Sequence, residues 1–415
     1  MEISEKTIKF IQEHSKDDTN TLRLKYAGKS TMMDIPIEFA LLQIESRRKA
    51  QKKIPTFIEH PSFIFPDALA AEQASNEAVA RYHASLISPE STLLDLTAGL
   101  GIDDLTFAMA GINVTACEID KTKAEALTHN AETLGLGSKI SVNNVDSMSY
   151  IEECKKHFDV VFSDPARRTT AGKRVHALAE CQPDILKAMD RILQITDRLI
   201  IKSSPLLDLS LIRNTVDNLC RIHVVCFKGE CKEVLIDIQK GKEFEGIKVI
   251  DLDMKRVISH FETHLSPIES KPMLADAPSP ACYRYLYEPN AGVMKTGAWG
   301  ELNRQYPDIR KADINSHIFL SDTFFEGFPG RITQIEGIID KKAMKNLKGK
   351  KCNVVARNHP LSATEIAKRY SLKPGDDTYL YAFRYHAKPV GLLARQIKAL
   401  IFCEMGPKKE KPDQE

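Results

Sequence analysis

The stretch covering residues 91–120 constrains the fold of this chain most, because it has the order strand, glycine turn, helix, strand. The first strand ends at Asp95, Gly99 and Gly101 form the turn, and the second strand carries Glu118 near its end. A turn without Cβ atoms lets a ligand approach the backbone, and a carboxylate at the end of the next strand can accept hydrogen bonds from a ribose. The stretch therefore predicts half of a mononucleotide-binding unit.

The alternation of strands and helices continues to about residue 240. Further strand patterns end at Asp146 and Asp164, and a short turn typical of a hairpin joins two β-rich runs at 222–227 and 233–238. This order predicts an α/β fold with a mostly parallel sheet, helices on both faces and one antiparallel edge strand. Ligands of such sheets bind at the carboxyl ends of the strands. We therefore expect the acidic residues that follow the strands to lie together.

The flanking regions have weaker patterns. Residues 1–66 show helical periodicity followed by a linker rich in proline and phenylalanine, and one continuous helix is expected over residues 67–87. Two α+β modules are predicted at residues 241–330 and 331–405. Residues 406–415, which are rich in Lys, Glu and Pro, are predicted to be a disordered tail.

Charge, hydropathy and cysteine content restrict the partners and the cellular location that we expect for this protein. The formal net charge is +2, but residues 241–415 carry 28 basic and 22 acidic side chains, which indicates a polyanionic partner. There is no apolar core of a signal peptide and no apolar window of the ~18 residues that a membrane span needs, so we expect a cytoplasmic protein with reduced thiols. Cys220, His223, Cys226 and Cys231 match no paired metal-binding spacing, and we predict no metal site.

Asp103 and Asp104, at the start of the helix after the turn, exclude one class of ligand. A dinucleotide-binding turn has a third small residue here, so that the pyrophosphate can rest on the helix N-terminus. Two carboxylates would repel a diphosphate but tolerate a cation or a zwitterion. The pattern therefore favours S-adenosylmethionine, which carries a sulfonium and an amino group.

Several motifs resemble those of class I S-adenosylmethionine-dependent methyltransferases: DLTAGLGID at residues 95–103, then CEID, VDSM and SDPARR. More closely, the chain resembles a bacterial, RNA-methyltransferase-like family whose C-terminal part is THUMP-like, because YLYEPNAGVMKTGAW, FPGRI, ARNHPLS and GDDTYLYAFR are similar to segments of that family. The resemblance implies a Rossmann-like methyltransferase domain at residues 67–240, a ferredoxin-like module at 241–330 and a THUMP-like module at 331–405.

The resemblance also implies the cofactor, S-adenosyl-L-methionine, and the residues around it. Glu118 would accept hydrogen bonds from both ribose hydroxyls, and Asp146 would accept one from the adenine amino group. The remaining implied cofactor residues are Asp95, Ala98, Gly99 and Gly101 around the methionine moiety, and Gln73, Ser75 and Asn76 in a segment that closes over the cofactor. The alternative is that Asp95 and Asp146 only cap local structure and that Glu118 is a solvated helix start.

The acceptor side depends on the turn from Asp164 to Arg168. Enzymes that methylate exocyclic amines resemble one another in a turn with a second proline and an aromatic ring, where this chain has Ala166 and Arg167, so a flipped base would lack its stacking platform. Asp164, with Pro165 and Arg167, is nevertheless predicted to orient or deprotonate the acceptor, and Arg168 to contact the substrate. The alternative is that Asp164 only caps the turn. Residues 202–205 contain no cysteine nucleophile for uracil-5 methylation.

Lys345, Lys348 and Lys350 belong to a run of six lysines in eleven residues. The run predicts either contact with an RNA backbone or a solvated helix face, whereas Arg357 and Trp299 are expected to be packing or interface residues. The sequence favours an S-adenosylmethionine-dependent methyltransferase acting on a base of rRNA or tRNA. Two alternatives stay open: a catalytically inactive module that binds cofactor or RNA, and a methyltransferase for a protein or small-molecule acceptor.

Overall fold

The computed structural model describes residues 3–28, 30–32, 34–167, 181–264 and 271–397. The chain divides into two compact units, of which the first comprises residues 1–220 and 233–244 and the second residues 221–232 and 245–415. In the described part of the chain, no helix is long and apolar enough to cross a membrane.

The N-terminal region of the first unit is mainly helical. Its elements are α1 (Glu5–Glu13), α2 (Thr19–Lys25), β1 (Thr31–Met32), β2 (Ile35–Pro36), α3 (Ile37–Ala50), α4 (Pro55–Ile58), α5 (Ala68–Gln73) and α6 (Glu77–Ser85). Buried apolar residues such as Phe10, Leu22 and Leu41 hold α1, α2 and α3 together. The fully buried amide of Gln43 donates to the Phe65 carbonyl (2.9 Å) and accepts from the Phe65 N–H (2.8 Å), which ties the proline-rich linker to α3.

A mostly parallel sheet forms the centre of the first unit. The strands from here on are β3 (Thr92–Asp95), β4 (Asn113–Cys117), β5 (Ile140–Asn143), β6 (Val160–Ser163), β7 (Ala166–Arg167), β8 (Cys181–Gln182), β9 (Arg198–Ser203), β10 (Leu219–Phe227) and β11 (Glu230–Gln239). The strand order in this unit is β5-β4-β3-β6-β9-β11, in which the first five strands pair in parallel and β11 pairs antiparallel with β9. This arrangement confirms the predicted Rossmann-like fold class.

Helices connect the parallel strands and begin at their carboxyl ends. They are α7 (Ile102–Met109), α8 (Lys121–Thr133), α9 (Ser147–Glu153), α10 (Ile185–Ile195) and α11 (Leu209–Thr215). Four of them begin after an aspartate whose side chain accepts a backbone N–H of the first turn, which satisfies an otherwise unpaired donor: Asp120, Asp146, Asp184 and Asp208. Asp146, which the strand pattern places at the carboxyl edge, therefore also caps a helix there.

The predicted continuous helix over residues 67–87 is wrong, because the structure interrupts it between α5 and α6. Ala74 and Asn76 have extended ψ angles of 133° and 132°. The Asn76 side chain accepts from the Ala78 N–H at 2.9 Å and so caps α6. Asparagine and serine compete for backbone hydrogen bonds and favour caps over helix interiors, and here the break turns Ser75 towards the sheet.

The second unit contains two groups of strands. Most of β10 lies here and pairs in parallel with β12 (Gly246–Leu252), which pairs antiparallel with β13 (Val257–Thr263). A seven-stranded sheet follows, with the order β15-β16-β14-β17-β20-β19-β18. Its strands are β14 (Tyr285–Pro289), β15 (Arg310–Asp313), β16 (Ser316–Ser321), β17 (Gly330–Ile338), β18 (Asn353–Arg357), β19 (Thr378–Tyr385) and β20 (Lys388–Gln396).

The helices of the second unit are α12 (Ala291–Thr296), α13 (Trp299–Gln305), α14 (Lys341–Leu347) and α15 (Ala363–Tyr370). In the seven-stranded sheet, β18 and β19 pair in parallel and the other neighbours pair antiparallel. One face buries Leu286, Ile318, Tyr381 and Phe383. The unit therefore has the α+β character that the sequence predicts.

Candidate active site

An open cavity of about 1140 Å³ lies at the carboxyl ends of the parallel strands of the first unit. Ligand pockets usually measure about 300–1,000 Å³, so the cavity has room for a nucleotide-sized cofactor with an acceptor group beside it. Most residues that the sequence predicts for the cofactor and the acceptor are in its wall: Gln73, Asp95, Ala98, Gly99, Gly101, Glu118, Asp146, Asp164 and Pro165.

The turn between β3 and α7 depends on its two glycines. Gly99 and Gly101 have φ angles of 60° and 80°, a region that residues with a Cβ rarely adopt. A Cβ atom at Gly101 would lie 2.1 Å from Cδ1 of Leu127, whereas the nearest atom to one at Gly99 is the Thr97 carbonyl oxygen at 4.0 Å. Gly101 is therefore required by packing as well as by conformation, and Gly99 leaves the cavity open.

Glu118 and Asp146 form the next part of the wall. The Glu118 carboxylate accepts from the N–H of Gly99 at 2.7 Å and from the N–H of Asp120 at 2.8 Å. These two bonds fix its orientation, and each oxygen keeps a further lone pair for a ligand. Asp146 accepts from both the N–H and the hydroxyl of Ser149 at 2.9 Å, so it caps α9 and faces the cavity at the same time.

Asp95 and Asp104 are neighbouring buried carboxyl groups. Burial raises the pKa of Asp95 to about 7. Asp104 is fully buried, and neither of its carboxyl oxygens has a hydrogen-bond partner among the described residues. Burial and then the charge of Asp95 raise the pKa of Asp104 well above its usual range. Two adjacent buried carboxylates cannot both ionise at low cost, so this arrangement favours the protonated form of Asp104.

Thr97 links the turn to the acceptor loop. Asp95 accepts from the Thr97 N–H at 2.7 Å and from its hydroxyl at 3.2 Å. The same hydroxyl accepts from the backbone N–H of Asp164 at 2.6 Å. The Thr97 side chain therefore sets the position of the Asp164 backbone relative to the cofactor turn.

A buried chain of charged groups lies behind this wall. His83, which is 1% exposed, contacts Asp103 through Nδ1 (2.8 Å) and Glu233 through Nε2. Burial lowers the pKa of His83, but the charges of Glu233 and Asp103 outweigh this effect and raise the pKa to about 9. The Ser75 hydroxyl donates to Asp103 at 2.6 Å. His83 is therefore an imidazolium at neutral pH that connects α6, α7 and β11.

Lys202 completes this chain and contacts the predicted acceptor residue. Its Nζ atom lies 2.7 Å from Oδ2 of Asp164, 3.7 Å from Oδ2 of Asp103 and 3.9 Å from Oε2 of Glu233, and donates to the Ser75 hydroxyl at 2.9 Å. Burial lowers the pKa of Lys202, but the three carboxylates outweigh it, so the pKa is raised. Two cations thus face three carboxylates, which leaves one net negative charge next to the cavity.

Other predicted site residues lie elsewhere or outside the described residues. Asn76 is absent from the cavity wall and caps α6. Arg167 pairs with Cys181 in the β7–β8 ladder, but its side chain and the whole of Arg168 lie outside the described part of the chain. In the second unit, the predicted RNA-contacting lysines have exposed side chains in or just after α14: Lys345, Lys348 and Lys350.

Three residues of the charged chain were missed by sequence reasoning: His83, Lys202 and Glu233. Lys202 carried a usable signal, because a lysine near the carboxyl end of an apolar strand needs buried partners. His83 and Glu233 carried none, since they are 150 positions apart and meet only through the fold. Among the described residues, no group of three or more His, Cys, Asp or Glu side chains is placed to hold a metal ion.

Comparison with known protein families agrees with this geometry. Residues 90–240 match the family model described as RNA cap guanine-N2 methyltransferase. Residues 285–329 match a ferredoxin-like domain and residues 330–396 a THUMP domain-like model. The chain therefore combines a methyltransferase domain of the RNA-methyltransferase type with ferredoxin-like and THUMP-like domains, which confirms the resemblance inferred from its motifs.

One solved structure resembles the chain over nearly its full length. It is a proposed methyltransferase from Porphyromonas gingivalis W83, 26% identical, with a TM-score of 0.81, and the match covers 96% of this chain and 100% of that one. The chain is thus similar in fold and domain order to a whole protein, not only in its methyltransferase domain.

Curated relatives match shorter segments. The tRNA1(Val) (adenine(37)-N6)-methyltransferase of Trichodesmium erythraeum is 26% identical over 127 residues, which cover 28% of this chain and 53% of the relative. The ribosomal RNA small subunit methyltransferase J of Coxiella burnetii is 34% identical over 82 residues, which cover 19% of this chain and 32% of the relative. The chain therefore spans about half or less of the length of these relatives.

Proposed function

We propose that this protein is an S-adenosylmethionine-dependent methyltransferase that acts on RNA. The observation that carries the proposal is the convergence of the glycine turn with Glu118, Asp146 and Asp164 on one cavity. This cavity belongs to the segment that matches an RNA methyltransferase family model. The basic character of residues 241–415 adds support for a polyanionic substrate.

The donor and acceptor chemistry of the wall fits S-adenosylmethionine. Glu118 offers fixed carboxylate oxygens, as a ribose diol requires, and Asp146 offers an acceptor for an adenine amino group. The net negative charge left by the buried chain around Asp103 favours a ligand with an ammonium and a sulfonium group over a diphosphate. When bound, the cofactor would supply an electrophilic methyl group. The residues of this chain would bind it, orient it and position the acceptor.

We propose that the acceptor is an exocyclic amine of a purine base. Asp164 is paired with Lys202 at 2.7 Å, and the Lys202 charge lowers the pKa of Asp164 against the larger effect of desolvation. The ionised carboxylate can only accept hydrogen bonds. An amine N–H can donate to this carboxylate, and the hydrogen bond would align the nitrogen lone pair with the methyl group. The carboxylate can then receive the proton that the nitrogen loses after transfer. The guanine-N2 and adenine-N6 activities named for the matched family model and one relative are of this chemical type.

Cofactor binding tests the first part of the proposal. Glu118→Gln should weaken the binding of S-adenosylhomocysteine by about 10–100-fold in calorimetry, because charge-assisted hydrogen bonds contribute about 1.5–3 kcal/mol. The matched control is Glu132→Gln, which changes an exposed glutamate outside the cavity wall. Equal affinities for wild type and Glu118→Gln would contradict the site assignment.

Methyl transfer tests the second part. Total RNA from cells that lack the gene should accept labelled methyl groups from the wild-type protein, and nucleoside mass spectrometry should identify the methylated purine. Asp164→Asn should keep cofactor affinity and lose about 10²–10⁴-fold in rate. Cofactor binding without transfer to any RNA would instead favour an inactive binding module. Transfer to protein alone would favour a different acceptor class.

A further inference from the structure

Four segments of the second unit that are far apart in sequence converge on Glu288. Glu288 is directly opposite Arg331 in the β14–β17 ladder. Arg357 is the last residue of β18, and Tyr381 belongs to the neighbouring strand β19. These residues lie in the stretches YLYEPNAGVMKTGAW, FPGRI, ARNHPLS and GDDTYLYAFR, none of which contributes to the cavity of the first unit.

Two arginines share the single carboxylate of Glu288. Arg331 Nη1 donates to Oε2 at 2.7 Å and Arg357 Nη2 donates to Oε1 at 2.8 Å, while the Glu288 side chain is only 7% exposed. Among the described residues, neither arginine forms an ion pair with another carboxylate. The cluster therefore keeps one net positive charge. One arginine would be enough to neutralise Glu288, so neutralisation does not explain the second.

Both guanidinium groups keep donors for another ligand. Each carries five N–H bonds, and the side chains of Arg331 and Arg357 are 34% and 38% exposed. The Nε atom of Arg357 is buried and has no hydrogen-bond partner in the described part of the chain. Glu288 holds each guanidinium group by one hydrogen bond, and the exposed N–H groups that remain can donate to an oxyanion.

One half-buried aromatic ring, that of Tyr379, adjoins these donors. The Arg331 guanidinium lies 4.5 Å from the ring centroid of the half-buried Tyr379. Tyr379 in turn stacks on Tyr381, with ring centroids 5.8 Å apart and an interplanar angle of 21°. Guanidinium planes and half-exposed aromatic rings are the surfaces on which single-stranded bases stack, and arginine forks bind the phosphates between them.

We infer that Arg331 and Arg357, held by Glu288 beside Tyr379, form a binding site for a phosphodiester of single-stranded RNA. The inference deepens the proposed function, because it rests on RNA as the substrate. It differs from the prediction for Lys345, Lys348 and Lys350, since those exposed lysines offer mobile charges, whereas the arginine pair offers fixed donors with a defined direction.

The test measures binding of a fluorescein-labelled, twelve-nucleotide single-stranded RNA by fluorescence anisotropy between 50 and 300 mM salt, on the order of the range over which phosphate contacts weaken. Arg357→Gln should weaken binding and reduce the slope of log K against log salt by about 0.7, the value for one phosphate contact on a single strand. The matched control is Arg395→Gln, because Arg395 is an exposed arginine of the same sheet that pairs with Glu336. The control should bind RNA like the wild type.

A second variant guards against misfolding. Arg357→Lys keeps the charge and a partner for Glu288 but lacks the planar fork, so it should fold, keep the salt slope and bind RNA more weakly than the wild type. Wild-type affinity in a folded Arg357→Gln or Arg357→Lys, or a wild-type salt slope in Arg357→Gln, would overturn the site. Equally strong competition by polyglutamate and by unlabelled RNA would also overturn it, in favour of an acidic peptide.

The outcome is separable from that of the proposed function. S-adenosylhomocysteine affinity should be unchanged in all three arginine variants, because none of these residues is in the cavity wall. If RNA binding depends on Arg357 but no methyl transfer is found, the proposed methyltransferase activity is contradicted and the RNA-binding site is supported. RNA binding that is indifferent to Arg357 would remove the site, whatever the methylation assay gives.

Discussion

Lys202 provides the sharpest test of how the charged chain serves the acceptor residue. Its ammonium lies 2.7 Å from Asp164, and its side chain is 12% exposed. The pKa of Asp164 is raised overall, because desolvation of its carboxyl group outweighs the opposing effect of the Lys202 charge. An opposite charge at this distance lowers a carboxyl pKa by about 1–3 units. The Asp164 side chain is 45% exposed, so solvent screening favours the low end of that range, about one unit.

Lys202→Met should therefore move the acidic limb of the pH profile of kcat/KM upward by about one unit. The active form is the carboxylate, so activity is present above the Asp164 pKa and is lost as the pH falls through it. Removal of the cation raises that pKa, and the loss begins at a higher pH. The assay is methyl transfer to RNA between pH 5 and 9, a span of about four units that covers both limbs.

Two further variants separate positioning from folding. Lys139→Met is the control, because Lys139 is another partly buried lysine of the first unit that pairs with Glu90, and its pH profile should match the wild type. Lys202→Met leaves the buried carboxylates of Asp103 and Glu233 close to the partly exposed Asp164 without this cation, and it can cost about 3–5 kcal/mol of stability. Adding Glu233→Gln removes one of these charges and should restore part of that stability while the acidic limb stays shifted. An unshifted limb in folded Lys202→Met would refute the reasoning.

Two other predictions concern stability. Gly101→Ala should lower the free energy of unfolding by about 2–4 kcal/mol in urea titrations, because it adds backbone strain and a clash with Leu127. Gly99→Ala adds only the strain and should lower it by about 1–2 kcal/mol. Equal losses would contradict this packing argument. Since the pKa of His83 is raised from 6.5 to about 9 in the folded state, its contribution of about 3 kcal/mol is fully present below pH 6.5 and lost as the pH rises towards 9. His83→Gln should lack this loss, and a wild-type decline in the variant would assign it to another group.

Most residues of the proposed cofactor site could be predicted, because the sequence features that identify them are local. A glycine needs only its own φ angle to shape a turn, and a carboxylate at the end of a parallel strand must lie at one edge of the sheet. Asp95, Glu118 and Asp146 therefore reach the cavity wall as their strand positions predict. The roles of these residues in binding a cofactor stay predictions, which the variants above test.

The parts that could not be predicted depend on distant partners. Helix propensity favours an unbroken helix over residues 67–87, but Ser75 leaves the helix and hydrogen-bonds with Asp103, 28 positions away. Lys202 and Ser75 are separated by 127 positions. Pairings of this kind arise when the sheet brings strand ends together, and no periodicity in the chain encodes them.

Asp103 and Asp104 are adjacent in sequence, so the sequence predicts the same effect for both, but their distant partners make them differ. From the sequence, both carboxylates repel a diphosphate equally. In the structure, Lys202 and His83 contact Asp103 and lower its pKa against the effect of burial, whereas burial and the charge of Asp95 raise the pKa of Asp104. We therefore expect exclusion of a diphosphate and attraction of an ammonium group to depend more on Asp103, which His83 and Lys202 hold in its ionised form, than on Asp104.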